Sequence, residues 1–178
     1  MNFSSELFDC VVLRPVRKLD ARALTEAFQR NRAHLAPWEP VRPERFYTVQ
    51  GQQEVITRQR TELGLGTSLP MVLAKEGTIV GLVTISSIVR GAFQNAHLGY
   101  WIDHAAQGAG LMTAAVGAAV NIAKQDLGLH RLEAATLLHN NASQRVLEKN
   151  GFVSYGVAPA YLRIAGQWQD HRMFQRIL

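Results

Sequence analysis

The chain has 178 residues, of which 47% are hydrophobic and 19% are charged. This length is typical of one domain, and the apolar content is sufficient for a complete core, which excludes a disordered chain. No run of about 18 uncharged apolar residues is present, and the N-terminus lacks the basic start of a secretory signal. Cys10 is the only cysteine, which excludes a disulfide framework and a cysteine-based zinc cluster. We therefore expect a single domain over residues 1–178, no membrane partner and a cytoplasmic location.

Basic residues exceed acidic ones by 19 to 14, which gives a formal net charge of +5. Arginine accounts for 15 of the 19 basic residues and suits bidentate contact with phosphate or carboxylate groups. The arginines are scattered, however, and no lysine–arginine run marks a nucleic-acid-binding tail. This pattern favours a solvated basic surface over a dedicated anionic partner, and we expect no specific nucleic-acid partner.

The N-terminal third predicts one strand, two helices and a stiff loop between them. Residues 10–14 are typical of a short strand, which the following proline stops. Asp20 suits the N-cap of a helix that ends near Asn31. Three prolines in the segment 34–43 predict an extended loop that cannot be helical, and a second helix is expected over 48–63.

Beyond residue 68 the apolar period is that of strands, interrupted by one long helix and one short helix. The predicted strands lie at 71–74, 78–89, 96–103, 131–137, 152–155, 161–164 and 171–177. The first three form an antiparallel meander, and an alanine-rich helix follows to about Leu127. With a last helix from about Asn141 to Asn150, these elements predict an α/β fold, a mixed central sheet in the order β-α-α-β-β-β-α-β-α-β-β.

The glycine loop (residues 107–113, QGAGLMT) is the most informative local feature. It lies between a predicted strand and the alanine-rich helix, where glycines allow a sharp turn and a close approach of a ligand. The first amides of that helix would lack acceptors, so they would bind an anion, most naturally a pyrophosphate. No Gly-Lys-Ser/Thr follows, and the third glycine of a dinucleotide fingerprint is missing, so neither of those phosphate motifs is present. A plain glycine-rich helix entry remains the alternative.

The second feature is the segment 140–152, NNASQRVLEKNGF, in which Asn-x-x-Ser opens a helix and Gly-Phe closes it. Taken alone, it is explained by N-capping through Asn140 or Asn141, with Ser143 exposed in the first turn. Each feature alone has a simple structural explanation, but the two together, in this order along the chain, are specific.

In combination they resemble the GCN5-related N-acetyltransferase (GNAT) superfamily. The closest likeness is to its RimJ/RimL class, and within it to the RimJ branch of ribosomal-protein-alanine N-acetyltransferases, which acetylate protein N-termini with acetyl-CoA. Similar strings extend over nearly the whole chain, at residues 31–42, 89–93, 98–100, 108–112 and 161–171. The resemblance implies the GNAT fold, acetyl-CoA as cosubstrate and no metal.

The resemblance further implies that acetyl-CoA is held mainly by main-chain groups. The strand that ends near Ile102 would pair with the pantetheine arm, Asn140 would bind a pantetheine amide, and the glycine loop would surround the pyrophosphate. The implied coenzyme-binding residues are Ile102, Gln107, Gly108, Ala109, Gly110, Leu111, Met112, Thr113 and Asn140. Arg145 or Lys149 could reach the nucleotide phosphates, although an outward-facing helix charge is the simpler interpretation.

In the implied reaction an amine attacks a thioester, so the enzyme must align both partners, stabilise an oxyanion and move two protons. A chain-terminal α-amine with a pKa near 8 is roughly one quarter neutral at cytosolic pH, whereas a lysine amine near 10.4 is neutral about one time in a thousand. Few acids lie near the implied site, which favours an α-amine substrate.

The candidate base and the acceptor side come from the proline-rich loop and the third strand of the meander. Glu39 is the preferred base, with an anchor for the substrate ammonium or a plain surface carboxylate as alternatives. His97 is a second candidate, because imidazole titrates near neutral pH, with a satisfied or partly exposed strand histidine as the alternative. Trp38, His97 and Tyr100 are expected to contact the acceptor, although Trp38 could equally be a core residue.

One position departs from the superfamily pattern. Many members place a tyrosine four residues before the glycine of Gly-Phe, where it protonates the leaving thiolate. That position is Leu147 in this chain, and leucine cannot donate a proton. Ser143 lies one turn earlier on the same helix face and is expected to serve as the catalytic donor near the thioester sulfur. Met112 replaces the usual glycine or alanine of the glycine loop, but only its amide is needed.

We therefore predict acetyl-CoA-dependent acetylation of the α-amine of a protein or peptide N-terminus, with a ribosomal protein as one acceptor. One alternative is an acetyltransferase for a small amine, an antibiotic or a peptide natural product, in self-resistance or tailoring. Another is a non-catalytic CoA-binding or RNA-associated module. The sequence leaves the oligomeric state open, a homodimer included.

Overall fold

The computed structural model describes residues 3–178, and its centre is one twisted, mixed sheet. Its eight strands are β1 (Ser5–Glu6), β2 (Val11–Pro15), β3 (Leu69–Lys75), β4 (Thr78–Val89), β5 (Asn95–Ile102), β6 (Arg131–Leu137), β7 (Val153–Ile164) and β8 (Gln167–Ile177). The order across the sheet is β1-β2-β3-β4-β5-β6-β8-β7. All neighbours are antiparallel except β5 and β6, which run parallel because α4 connects them as a crossover.

Helices cover both faces of this sheet. They are α1 (Ala21–Arg30), α2 (Arg32–Leu35), α3 (Val49–Gly64), α4 (Leu111–Gln125) and α5 (Asn141–Lys149), with single 3-10 turns at 18–20, 44–47 and 104–106. Side chains alternate between the two faces of a strand, so each face buries its own apolar set. Met71 and Leu73 of β3 pack in the core that includes α4, whereas Val72 packs in the core that includes α1 and α3.

The predicted α/β class and most predicted elements are confirmed. The Thr48 hydroxyl caps α3 by accepting the Gly51 amide at 3.1 Å, and Glu76-Gly77 adopts the paired positive φ angles, 47° and 83°, of a tight hairpin turn. Among residues 3–178, no helix is both long enough and apolar enough to cross a membrane.

Three sequence-based expectations were wrong in detail, and one short strand was missed. The segment 34–43 is not wholly extended, because α2 continues to Leu35 and the first proline comes two residues later. The strands predicted at 152–155 and 161–164 are one strand, β7, whose register shifts twice and whose exposed edge position hides the alternation. The short strand β1 was not predicted. The Asp20 carboxylate precedes α1 as expected, but it accepts hydrogen bonds from Arg14 and the Arg17 amide instead of capping α1.

The parallel pair β5 and β6 is the feature that creates the site. Only three residue pairs join the two strands, from Asn95–Arg131 to His97–Glu133. Beyond His97 both strands continue, to Ile102 and Leu137, without pairing to each other. Their carboxyl ends therefore diverge, and main-chain groups along the divergent part of β5 are left without a neighbouring strand on that side.

Candidate active site

A cleft of about 900 Å³ lies at the divergent ends of β5 and β6. Its walls are the last residues of β5, the glycine loop with the start of α4, the first turns of α5, and α2 with the residues just after it. Most of these walls belong to the crossover from β5 through α4 to β6 or follow it directly in the chain. The cleft is thus a direct result of the sheet topology and is of a size that suits a nucleotide-bearing ligand.

The glycine loop contributes unpaired amides to one end of this cleft. Gly108 and Gly110 both have φ of 81°, in the left-handed region where glycine is favoured. None of the amides from residue 108 to residue 113 has a main-chain acceptor among the described residues. Six unpaired amides therefore lie at the N-terminus of α4 or just before it, at the positive end of the helix dipole, and such an arrangement suits a diphosphate. The predicted anion site fits a pyrophosphate.

A buried carboxylate holds the turn that leads into the glycine loop. Asp103 accepts hydrogen bonds from Arg30 Nε (2.6 Å), Asn31 Nδ2 (2.9 Å) and the Ala105 amide (2.9 Å). Burial acts to raise the pKa of Asp103, but the hydrogen bonds from Asn31, Ala105 and Arg30 outweigh it and lower the pKa. Asn31 Oδ1 also accepts the His104 amide at 2.9 Å. The junction of α1 and α2 therefore determines where the loop begins, a contact that sequence analysis did not predict.

The start of α5 carries the two residues predicted from the Asn-x-x-Ser pattern. Asn140 Oδ1 accepts a hydrogen bond from the Ser143 amide at 3.1 Å, so Asn140 caps α5. This agrees with the N-capping interpretation of the segment. Both residues line the cleft. The cap uses only the side-chain oxygen, and no acceptor for Asn140 Nδ2 is present among residues 3–178, so binding of a pantetheine carbonyl by Nδ2 stays a prediction.

Tyr100 and Ser143 form a hydroxyl pair inside the cleft. The Tyr100 hydroxyl lies 2.8 Å from Ser143 Oγ and 3.1 Å from the Ser143 carbonyl oxygen, to which it can donate. Burial raises the pKa of Tyr100 to about 12, although the hydrogen bond with Ser143 opposes the rise. The phenol therefore stays protonated at neutral pH and can supply a proton through Ser143. Leu147, one turn after Ser143 on α5, is fully buried, and the phenol that is hydrogen-bonded to Ser143 comes from β5.

The cleft is also lined by Trp38 and by three histidines that were not predicted as site residues, His34, His104 and His139. The rings of Trp38 and His139 lie 5.4 Å apart. His34 Nε2 lies 3.0 Å from Gln107 Nε2, and the His34 ring lies 4.9 Å from that of His104. Burial and the neighbouring His104 lower the pKa of His34, against the opposing effect of Asp103, so its neutral ring can accept the Gln107 amide. No local sequence signal marks these histidines.

The two predicted bases lie outside the residues that line the cleft. The Glu39 side chain is 20% exposed, and its carboxylate is 3.7 Å from Arg42 Nε. Burial raises the pKa of Glu39, and Arg42 opposes that rise. His97 Nε2 lies 3.5 Å from the Glu133 carboxylate. It precedes the cleft-lining residue Trp101 by four positions on the same face of β5, a separation of about 13 Å along the strand. A catalytic role for either residue therefore stays a prediction.

Of the remaining predicted residues, all but one line the cleft. Ile102, Tyr100, Arg145, Lys149 and all residues of the glycine loop except Ala109 line the cleft. Arg145 and Lys149 are one turn apart on α5, where their positive charges face the site that the unpaired amides create. Because no Asp or Glu of the described residues lines the cleft, its formal charge is positive.

Residues 11–153 match the family described as Acetyltransferase (GNAT) domain. The chain belongs to the GNAT acetyltransferase family. Among curated relatives, this acetyltransferase is 36% identical over 165 residues to the [Ribosomal protein uS5]-alanine N-acetyltransferase of Escherichia coli (strain K12), a match that covers 92% of this chain and 85% of the relative.

Two solved structures show the same likeness. The ribosomal-protein-S5-alanine acetyltransferase from Vibrio fischeri has a TM-score of 0.94 and 35% identity to this acetyltransferase, with 98% of this chain and 96% of that chain covered. RimJ of Mycobacterium smegmatis in complex with CoA-disulfide has a TM-score of 0.90 and 33% identity, with 94% and 81% covered. The predicted family and its RimJ/RimL character are confirmed.

This acetyltransferase is an N-acetyltransferase that uses acetyl-CoA as its donor, and the cleft fits that cosubstrate. Unpaired amides of the glycine loop suit the pyrophosphate, and the unpaired edge of β5 suits an extended arm with amide groups. The Tyr100–Ser143 pair suits the protonation of a thiolate. Among residues 3–178, no cluster of His, Cys, Asp and Glu suits a metal ion.

Proposed function

We propose that this acetyltransferase transfers the acetyl group to the α-amine at the N-terminus of a protein or peptide, with a ribosomal protein as the acceptor. The observation that carries the proposal is the lack of any carboxylate among the described residues that line the cleft. Such a cleft cannot offer an ammonium group a counter-charge, so it favours an amine that is already partly neutral in water. The α-amine meets that condition, and a lysine side chain does not.

The names of the relatives support the same acceptor. The Escherichia coli relative and the Vibrio fischeri structure are both described as alanine acetyltransferases of a ribosomal protein, and each match covers more than nine tenths of this chain. The formal net charge of +5 favours encounter with the ribosome through non-specific attraction to its phosphates. We therefore place the protein in the cytoplasm, acting as a single acetyltransferase domain.

The proposed reaction needs only alignment and proton transfer from this chain. The glycine loop and β5 hold the donor, so that its thioester lies near Ser143 at the start of α5. The acceptor amine enters the cleft beside the packed rings of Trp38 and His139. Ser143, hydrogen-bonded to Tyr100, protonates the departing thiolate. Most of the rate enhancement then comes from holding amine and thioester in line.

Mass spectrometry of acceptor panels tests this proposal. The purified enzyme is incubated with acetyl-CoA and matched peptides that begin with Ala, Ser or Met, and with the Ala peptide blocked at its N-terminus but carrying an internal lysine. We expect acetylation of a free N-terminus and none of the blocked peptide. Acetylation of lysine in the blocked peptide, or turnover of a polyamine or an aminoglycoside with no peptide modified, would overturn the proposed acceptor class.

A further inference from the structure

His139 differs from the other two histidines that line the cleft. His34 is engaged by Gln107 and packs against His104, at the donor end. His139 is exposed, lies in the connection between β6 and α5, and packs its ring against Trp38. Neither of its ring nitrogens has a hydrogen-bond partner among residues 3–178. Its ring is therefore positioned by a neighbour while both nitrogens are available to a ligand.

We propose that His139 is the group that takes the proton from the attacking amine. The inference rests on the proposed function, because it concerns the amine acceptor of that same site. In the step, the amine lone pair forms a bond to the carbonyl carbon of the thioester, and the carbon–sulfur bond breaks with its electron pair on sulfur. The amine nitrogen loses one proton to an imidazole nitrogen of His139. The thiolate gains one proton from Ser143, which regains it from Tyr100 or solvent.

The position of His139 next to Asn140 supports this role. Asn140 caps α5 through the Ser143 amide, so His139 precedes by one residue the cap of the helix that carries Ser143. Trp38, its ring neighbour, and Ser143 line the same cleft, so an amine that reaches a thioester near Ser143 enters the space that the imidazole borders. A base must lie within hydrogen-bond reach of the proton that it removes, and the predicted bases Glu39 and His97 do not line this path.

The charged and titratable groups around His139 come from every wall of the cleft. They are His34 on α2, His104 on the 3-10 turn after β5, Arg145 and Lys149 on α5, and Glu39 with Arg42 beside Trp38. Glu39, the only acidic residue among these groups, does not line the cleft. Imidazole is the side chain whose ordinary titration falls between pH 5 and pH 8, so it can accept a proton at neutral pH without a carboxylate partner.

The test compares His139→Gln with His130→Gln, a matched change at an exposed histidine outside the cleft. We expect His139→Gln to lower kcat about 100-fold, the lower end of general-base effects, while the Kd for acetyl-CoA by calorimetry changes less than about threefold. His130→Gln should behave as the wild type does. Added imidazole should restore part of the activity of His139→Ala, which a purely structural role would not allow.

The pH profile gives an independent readout. For the wild type, log(kcat/KM) for the amine should rise with pH at a slope of two in the acid limb of the profile, because the amine and the base must each lose a proton before attack. For His139→Gln the slope should fall to one, because only the amine still titrates. A kcat within about threefold of the wild type, or an unchanged slope of two, would overturn the proposal.

The failure of this inference is distinguishable from the failure of the proposed function. If the wild type acetylates a small amine and no peptide, the acceptor class is wrong, and the same variants measured with that amine still decide the role of His139. If His97→Gln or Glu39→Gln shows the loss of kcat and of slope instead, the base lies there and His139 is excluded.

Discussion

Gly110→Ala is the change that tests most directly whether the glycine loop binds the diphosphate. Gly110 has φ of 81° and ψ of 0°, and a methyl group built on it would meet no atom of the described chain within 4 Å. The folded protein therefore pays only the left-handed penalty of about 1–2 kcal/mol. For a chain of this size that corresponds to a fall in Tm of about 2–8 °C.

The effect on acetyl-CoA should be larger than this conformational cost. If the alanine variant relaxes to negative φ, the amides of residues 110 and 111 turn away from the anion. Each lost charge-assisted hydrogen bond is worth about 1.5–3 kcal/mol, which raises Kd about 10- to 150-fold. Calorimetry with CoA and steady-state kinetics would measure the change, and kcat at saturating acetyl-CoA should be affected much less.

Gly128→Ala is the matched control for this experiment. Gly128 has φ of 60°, no atom within 4 Å of an added methyl group, and a position outside the cleft. It should lose a similar amount of stability with no change in the Kd for CoA. Equal Kd values for the two variants, within about threefold, would refute the assignment of the glycine loop as the diphosphate site.

Two further outcomes follow from the cleft. Ser143→Ala and Tyr100→Phe should each lower kcat and leave the Kd for acetyl-CoA within a few-fold, because they remove the proton route to the thiolate; a collapse of affinity with unchanged kcat would show that the pair only binds. Asp103→Asn should lower the free energy of unfolding at pH 7 by about 2 kcal/mol, since it removes a charged acceptor of three hydrogen bonds. Because the folded pKa of Asp103 is lowered, its stabilising contribution is present above the unfolded pKa near 3.9 and is lost as the pH falls through the folded value. Urea unfolding from pH 7 to pH 3 should therefore show the difference between wild type and Asp103→Asn shrink below about pH 4, and a constant difference would contradict this reasoning.

Local chemistry made most of the fold predictable. The Thr48 cap, the Glu76-Gly77 turn and the alanine-rich α4 each depend on residues a few positions apart, and such patterns are read directly from a sequence. β7 was misread because its outer edge is exposed and its register shifts twice, so apolar residues lose their alternation. The order of the elements followed from these same patterns, and the match to the GNAT family agrees with the predicted fold.

The candidate site was predictable only where one segment builds it. The glycine loop and the start of α5 both line the cleft, and their backbone geometry is encoded by glycine and asparagine. The contact between His34 and Gln107 joins positions 73 residues apart, and the sheet topology alone brings them together. The same holds for Trp38 with His139 and for Tyr100 with Ser143, so no spacing in the sequence could reveal them.

The brief parallel pairing of β5 and β6 also bears on how long the protein survives in a cell. Only three residue pairs join β5 to β6 at the centre of the sheet, so strands β1 to β5 and strands β6 to β8 form two halves with a weak connection. Central strands are usually the most stable part of a sheet, and here the connection between them is short. A cosubstrate that contacts both halves shifts the equilibrium away from partly opened forms, by about 2.7 kcal/mol at a concentration 100 times its Kd. Proteases degrade such opened forms first, so the abundance of this enzyme should follow the supply of acetyl-CoA.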